Sequence, residues 1–110
     1  MEHLFVYGVF RDIGKTLLKD AKFCGKTYIT GSMYQVNDFY PGYIRKGNGK
    51  VWGDVYLVNT DVFPELDEFE GPEYIRTKIT TSNDIECWIY EWKGDVSNYK
   101  QIKCGDWLLR

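Results

Sequence analysis

VFPELDEFEG, residues 62–71, reads as a short helix set among strand-like segments. At about 100° per residue, Val62, Phe63, Leu66 and Phe69 share one arc; Glu70 falls inside it, while Glu65, Asp67 and Glu68 fall outside. A helix with one apolar stripe lays that stripe on the core, so Glu70 is expected to point inward and its acidic neighbours into water. Burial penalises an ionised carboxylate and raises its pKa, which is how a Glu becomes a usable general acid or base near neutrality. The helix geometry leaves a second reading open, in which Glu70 is the frayed last residue before Gly71, solvated or paired with an Arg or Lys.

Outward from this helix, Asp61 is placed to cap it, and Pro64 falls in its first turn, where a missing N–H costs nothing. Downstream, residues 74–81 put Ile75, Thr77 and Ile79 on one face. Residues 85–92 put Trp88, Tyr90 and Trp92 on one face, and Ser82, Asn83 and Asp84 join the two strands as a hairpin turn. Upstream, residues 51–58 alternate as a strand. Residues 37–50, with Pro41 and several glycines, read as a long loop or hairpin end. Residues 23–36 contain Gly25 and Gly31 within a Thr- and Tyr-rich run, giving one long bent strand or two short ones. Asp12 can cap a short helix over residues 13–20, weakened by Gly14. Residues 4–7 are a continuous apolar run that stops at Gly8, as expected of a central strand buried on both faces. The order gives a single α+β domain over residues 1–110, with a small, mostly antiparallel sheet able to curl toward a barrel.

The 110 residues suffice for one core. A formal net charge of −2 supplies no long-range field for nucleic acid. Cys24, Cys87 and Cys104 form no CxxC pair and leave an odd one over, which points to reduced thiols rather than a disulfide framework or metal site. His3 is the only histidine, which argues against a His-based triad or His-rich metal centre. The N-terminus has no leader-like pattern and no apolar run approaches about 18 residues. A soluble, cytoplasmic protein without membrane or nucleic-acid partners is expected.

Several blocks together resemble the gamma-glutamylcyclotransferase-like, or AIG2-like, family. FVYGVFR, residues 5–11, is similar to the VYGTLR block that opens such proteins, and LDEFEGPEYIRTKI, residues 66–79, resembles their LDxxEGxxYxR segment. GSMYQV (31–36), YPG (40–42), VWGDVYLV (51–58) and CGDW (104–107) resemble further family stretches in the right order, so the likeness spans nearly the whole chain.

The resemblance implies a small mixed β-barrel with flanking helices and a pocket where the loop after the first strand meets the end of the acidic helix. It implies Glu70 as general acid/base and backbone N–H groups around Gly8, Val9 and Phe10 as donors to the ligand. The implied reaction cyclises a gamma-glutamyl group to 5-oxoproline with release of an amine, and needs no metal or other cofactor. Two positions depart from the family: Val9 replaces its Ser or Thr, removing a hydroxyl, and Phe10 replaces its Leu.

Tyr7, Tyr34 and Tyr74 lie in family-like blocks as candidate substrate contacts, with core or pocket-wall roles the commoner use of such rings. Gly8 suits a close backbone approach to a ligand and equally a turn that ends a strand. Arg11 could meet an anionic substrate or stay solvated, and Arg76 could pair with an acidic neighbour or extend from an edge strand. The competing functional reading is a non-catalytic module that binds a small ligand or partner in the same cavity. An interaction domain using exposed aromatics is a third.

Overall fold

The computed structural model of the protein describes residues 1–8, 11 and 20–110. The helix expected over residues 13–20, its Asp12 cap, and the site residues Val9 and Phe10 lie outside the described residues. The described residues form eight strands: β1 (Glu2–Val6), β2 (Lys22–Thr30), β3 (Ser32–Gln35), β4 (Pro41–Ile44), β5 (Lys50–Val58), β6 (Tyr74–Thr80), β7 (Glu86–Trp92) and β8 (Lys100–Gln101). Among the described residues, the α-helix α1 (Phe63–Glu70) and 3-10 turns at Thr60–Val62 and Trp107–Leu109 accompany them.

β1 lies at the centre of a five-stranded sheet ordered β2-β5-β1-β7-β6, as the apolar run at residues 4–7 predicts. Its alternation feeds two cores. Phe5 and Tyr7 enter a cluster with Ile29, Tyr43 and Trp107, while Leu4 and Val6 enter another with Tyr90 and with Phe63 and Leu66 of α1. Burial on both faces explains why the run lacks a polar face. The β1–β7 pair is parallel and the others in the two sheets are antiparallel, so the α+β, mostly antiparallel architecture holds.

The expected barrel does not close among the described residues. Gly31, at φ 153°, turns the chain out of the first sheet, and β3 starts a second sheet ordered β4-β3-β8. A side chain at Gly31 would be strained at that angle and would collide with the Tyr43 ring. The outer strands β2 and β6 share no ladder among the described residues; at the β6–β7 turn the Ser82 amide donates to the Tyr28 carbonyl at 2.9 Å. Asn83 Oδ1 accepts from the Thr27 hydroxyl at 3.0 Å. Side-chain and turn contacts thus replace a strand ladder.

Three further expectations change. Residues 37–50 are not all loop, because β4 lies within them; as the edge of its sheet it accommodates Pro41, which has no N–H to give. The first helical turn is 3-10, so the cap moves upstream: Asn59 Oδ1 accepts from the Asp61 amide at 3.0 Å, and Asp61 is not the cap. Phe69 is 53% exposed rather than seated with Phe63 and Leu66, since a two-turn helix touches the sheet along a narrower stripe than the full apolar arc.

Candidate active site

α1 delivers Glu70 to the C-terminal end of β1. Phe63 and Leu66 are buried, Glu65, Asp67 and Glu68 are exposed, and Glu70 is partly buried, so the carboxylate is carried inward on the same side as the anchoring residues. There it lines a cleft of about 420 Å³, counted out to its open mouth, with Tyr7, Gly8, Tyr40, Pro41, Tyr74 and Tyr90 among its walls. The structure therefore brings Glu70, Tyr7, Gly8 and Tyr74 together. Tyr34 is elsewhere: on β3 in the second sheet, it lines a separate groove with Arg45 and Glu91. The turn at Gly31 is what sends it there.

Two carboxylates on α1 have opposite surroundings. Asp67 accepts from Arg76 Nε at 2.9 Å, from Arg76 Nη2 at 3.2 Å and from the Tyr90 hydroxyl at 2.6 Å; these bonds, Arg76 foremost, hold its pKa below the usual range. Arg76 is thus the partner of an acidic neighbour. Glu70, three residues on, has no hydrogen bond or ion pair among the described residues, and burial pushes its carboxyl up to about 7. Environments that separate two carboxyl pKa values in this way assign different work to each. Asp67 holds structure, and Glu70 is left able to exchange a proton near neutrality.

That shift has a consequence for stability. Glu70 retains its proton up to about pH 7 in the folded chain, against about 4.3 in an unfolded one. Between those values the folded state binds more protons, so stability falls as pH rises through the window. Glu70→Gln removes the effect, and its melting temperature should exceed that of the unsubstituted protein at pH 8 but match it near pH 4. Parallel melting curves across that range would place the carboxyl in ordinary solvent.

The tyrosines are walls. The Tyr7 hydroxyl donates to the Tyr90 carbonyl at 2.6 Å and accepts from the Tyr43 amide at 3.0 Å. Burial, with Tyr74 and Glu70 nearby, drives its pKa well above the usual phenol value. The Tyr74 hydroxyl donates to the Pro41 carbonyl at 2.7 Å, and burial raises its pKa likewise. Both hydroxyls are committed to fixing the backbone around the cleft. Gly8 packs so closely on Pro41 that a Cβ would stand 2.7 Å from the proline Cδ, which joins the YGVFR and YPG blocks sterically.

Arg11 is neither solvated nor free for a ligand. Its side chain is 3% exposed, with Nη1 2.7 Å from Asp106 Oδ1 and Nε 3.5 Å from Asp54 Oδ2. The Arg11 amide donates to the Gly8 carbonyl at 2.9 Å. Asp106, in the CGDW block, is the residue that sequence reasoning missed, together with Tyr40 and Tyr90 on the cleft wall. The quoted YPG and CGDW blocks carried the signal for Tyr40 and Asp106; Tyr90 showed only as a ring on one face of residues 85–92, with nothing to tie it to the cleft. Among the described residues no group of three or more His, Cys, Asp or Glu side chains is placed to hold a metal. No described helix is long and apolar enough to cross a membrane.

A family model described as gamma-glutamyl cyclotransferase, AIG2-like, matches residues 4–109. The chain belongs to that family. A provisionally named gamma-glutamylcyclotransferase of Pyrococcus horikoshii is 38% identical over 105 residues, covering 92% of this chain and 86% of the relative. The gamma-glutamylcyclotransferase family protein YtfP of Escherichia coli K12 is 33% identical over 111 residues, covering 97% and 96%. A solution NMR structure of the Escherichia coli protein superposes with a TM-score of 0.77 at 34% identity, covering 96% of each chain. The gamma-glutamylcyclotransferase-like fold expected from the motif order is therefore the fold of this chain, as an α+β arrangement of two sheets.

Proposed function

We propose that this gamma-glutamylcyclotransferase family member cyclises a gamma-glutamyl group to 5-oxoproline and releases the attached amine, with Glu70 as general acid/base. The observation that carries this reading is the Glu70 carboxyl, unpaired among the described residues and poised near pH 7 at the wall of an aromatic cleft. The substrate's own α-amine attacks its γ-carbonyl carbon, a C–N bond closes the five-membered lactam, and the bond to the leaving amine breaks. Glu70 takes a proton from the attacking amine and returns it to the departing one, so no water, metal or second substrate is consumed. Nucleophile and electrophile are on one molecule, so holding the folded-back conformer supplies an effective molarity of about 10⁵ M or more.

The raised carboxyl supports the assignment. The substrate amine is an ammonium near neutrality and must lose a proton to attack, and a carboxylate titrating at about 7 is a stronger base for that step than an ordinary Glu at about 4.3. Successive N–H groups around Gly8, Val9 and Phe10 would receive the substrate α-carboxylate as a small anion nest, with Tyr7 and Tyr74 holding the surrounding backbone.

A panel of substrates tests this reading. Gamma-glutamyl amines should yield 5-oxoproline. α-Linked glutamyl peptides should yield none, because their α-carboxylate is in the amide and their γ-carbon has no amine to expel. If no gamma-glutamyl compound is turned over while one still protects the protein against thermal unfolding, the site is a binding module and the catalytic reading fails.

A further inference from the structure

Asn37 shapes the approach to the Glu70 cleft. Its side-chain oxygen accepts hydrogen bonds from the amides of Phe39 and Tyr40, both at 2.8 Å. This local turn presents two rings to solvent, edge to face with centroids 6.4 Å apart, Phe39 being 72% and Tyr40 37% exposed. Tyr40 also lines the cleft, and its neighbour Pro41 accepts from the Tyr74 hydroxyl. The ring pair thus continues the cleft wall outward. Neither residue belongs to a core cluster, and the Phe39 ring in particular is left mostly wet, where exposed apolar area forfeits about 25 cal/mol per Å².

Charge narrows what the pair would meet. Glu70 is the single charged side chain among the described residues that line the cleft. A leaving half bearing its own carboxylate would bring a second anion toward Glu70, whereas an apolar or aromatic one meets ring faces and edges. We infer that Phe39 and Tyr40 form the subsite for the leaving half of the substrate and select gamma-glutamyl amides of apolar or aromatic amines over those whose amine carries a free carboxylate. This rests on the cyclisation reading above.

The test compares gamma-glutamylbenzylamide with gamma-glutamylglycine, following 5-oxoproline. The unsubstituted protein should favour the benzylamide in kcat/KM by about tenfold, chiefly through KM. Phe39→Ala, at an exposed position, should shrink that preference about two- to tenfold, and Phe39→Leu, which keeps apolar bulk, should shrink it less. Tyr40→Ala should contract it as well. Turnover of both compounds without preference, a preference for gamma-glutamylglycine, or a preference unchanged in both alanine variants would overturn the subsite while leaving the cyclisation reading in place. Turnover of neither compound would overturn that reading and the subsite with it.

Discussion

Glu70→Gln is expected to lower turnover of gamma-glutamyl amines at least about 10²-fold with the fold intact. Glutamine keeps the shape and volume of the side chain but cannot carry the proton. The carboxyl has no hydrogen bond or ion pair among the described residues, so the substitution breaks no structural bond there. In the unsubstituted protein kcat/KM should rise with pH up to about 7 as the base ionises, and that limb should vanish in the variant. Equal activity from a variant with a matched melting curve would remove Glu70 from the chemistry.

The second large effect concerns stability. Asp106 is 3% exposed, and its carboxylate meets Arg11 at 2.7 Å and Lys26 at 3.3 Å and accepts from the Leu108 amide at 3.0 Å. Asp106→Ala would strand a buried guanidinium, and breaking one side of a buried ion pair costs about 3 to 5 kcal/mol. Against a typical total of about 5 to 15 kcal/mol, urea denaturation should show the loss directly. A change below about 1 kcal/mol would mean that Asp54 alone holds Arg11. Burial works to raise the Asp106 pKa, but Arg11, the Leu108 amide and Lys26 outweigh it and leave the pKa below the usual carboxylate value. Its contribution is therefore full above about pH 4 and is lost as pH falls through the lowered value, so the two proteins should converge in strong acid.

What could be read from the sequence follows the range of the interaction concerned. The two-faced burial of Leu4, Phe5 and Val6, the β6–β7 hairpin, and the inward side of α1 with Phe63, Leu66 and Glu70 all express local periodicity. They are present in the structure. Phe69 was misjudged because 100° steps define an arc, whereas only contact with the sheet decides how much of that arc is covered. β4 was missed because its pairing with β3 outweighs the glycines and proline that suggest a loop. Arg11 and Asp106, 95 positions apart, carry no local sign of each other. Tyr34 sat in a convincing motif block, yet the backbone turn at Gly31 places it in another groove.

The central position of β1 also sets an order of events during synthesis. Its neighbours are β5 and β7, and Glu2 pairs with Val58 while Leu4 aligns with Trp88. At about 5 to 20 residues per second, roughly three to ten seconds separate translation of the LFV run from translation of its first partner strand, and longer passes before β7. During that interval an apolar strand with two open edges has no native partner, which makes it a ready template for intermolecular pairing. The same residues that anchor both cores of the finished protein are, in the nascent chain, an unpaired apolar segment that a chaperone would shield.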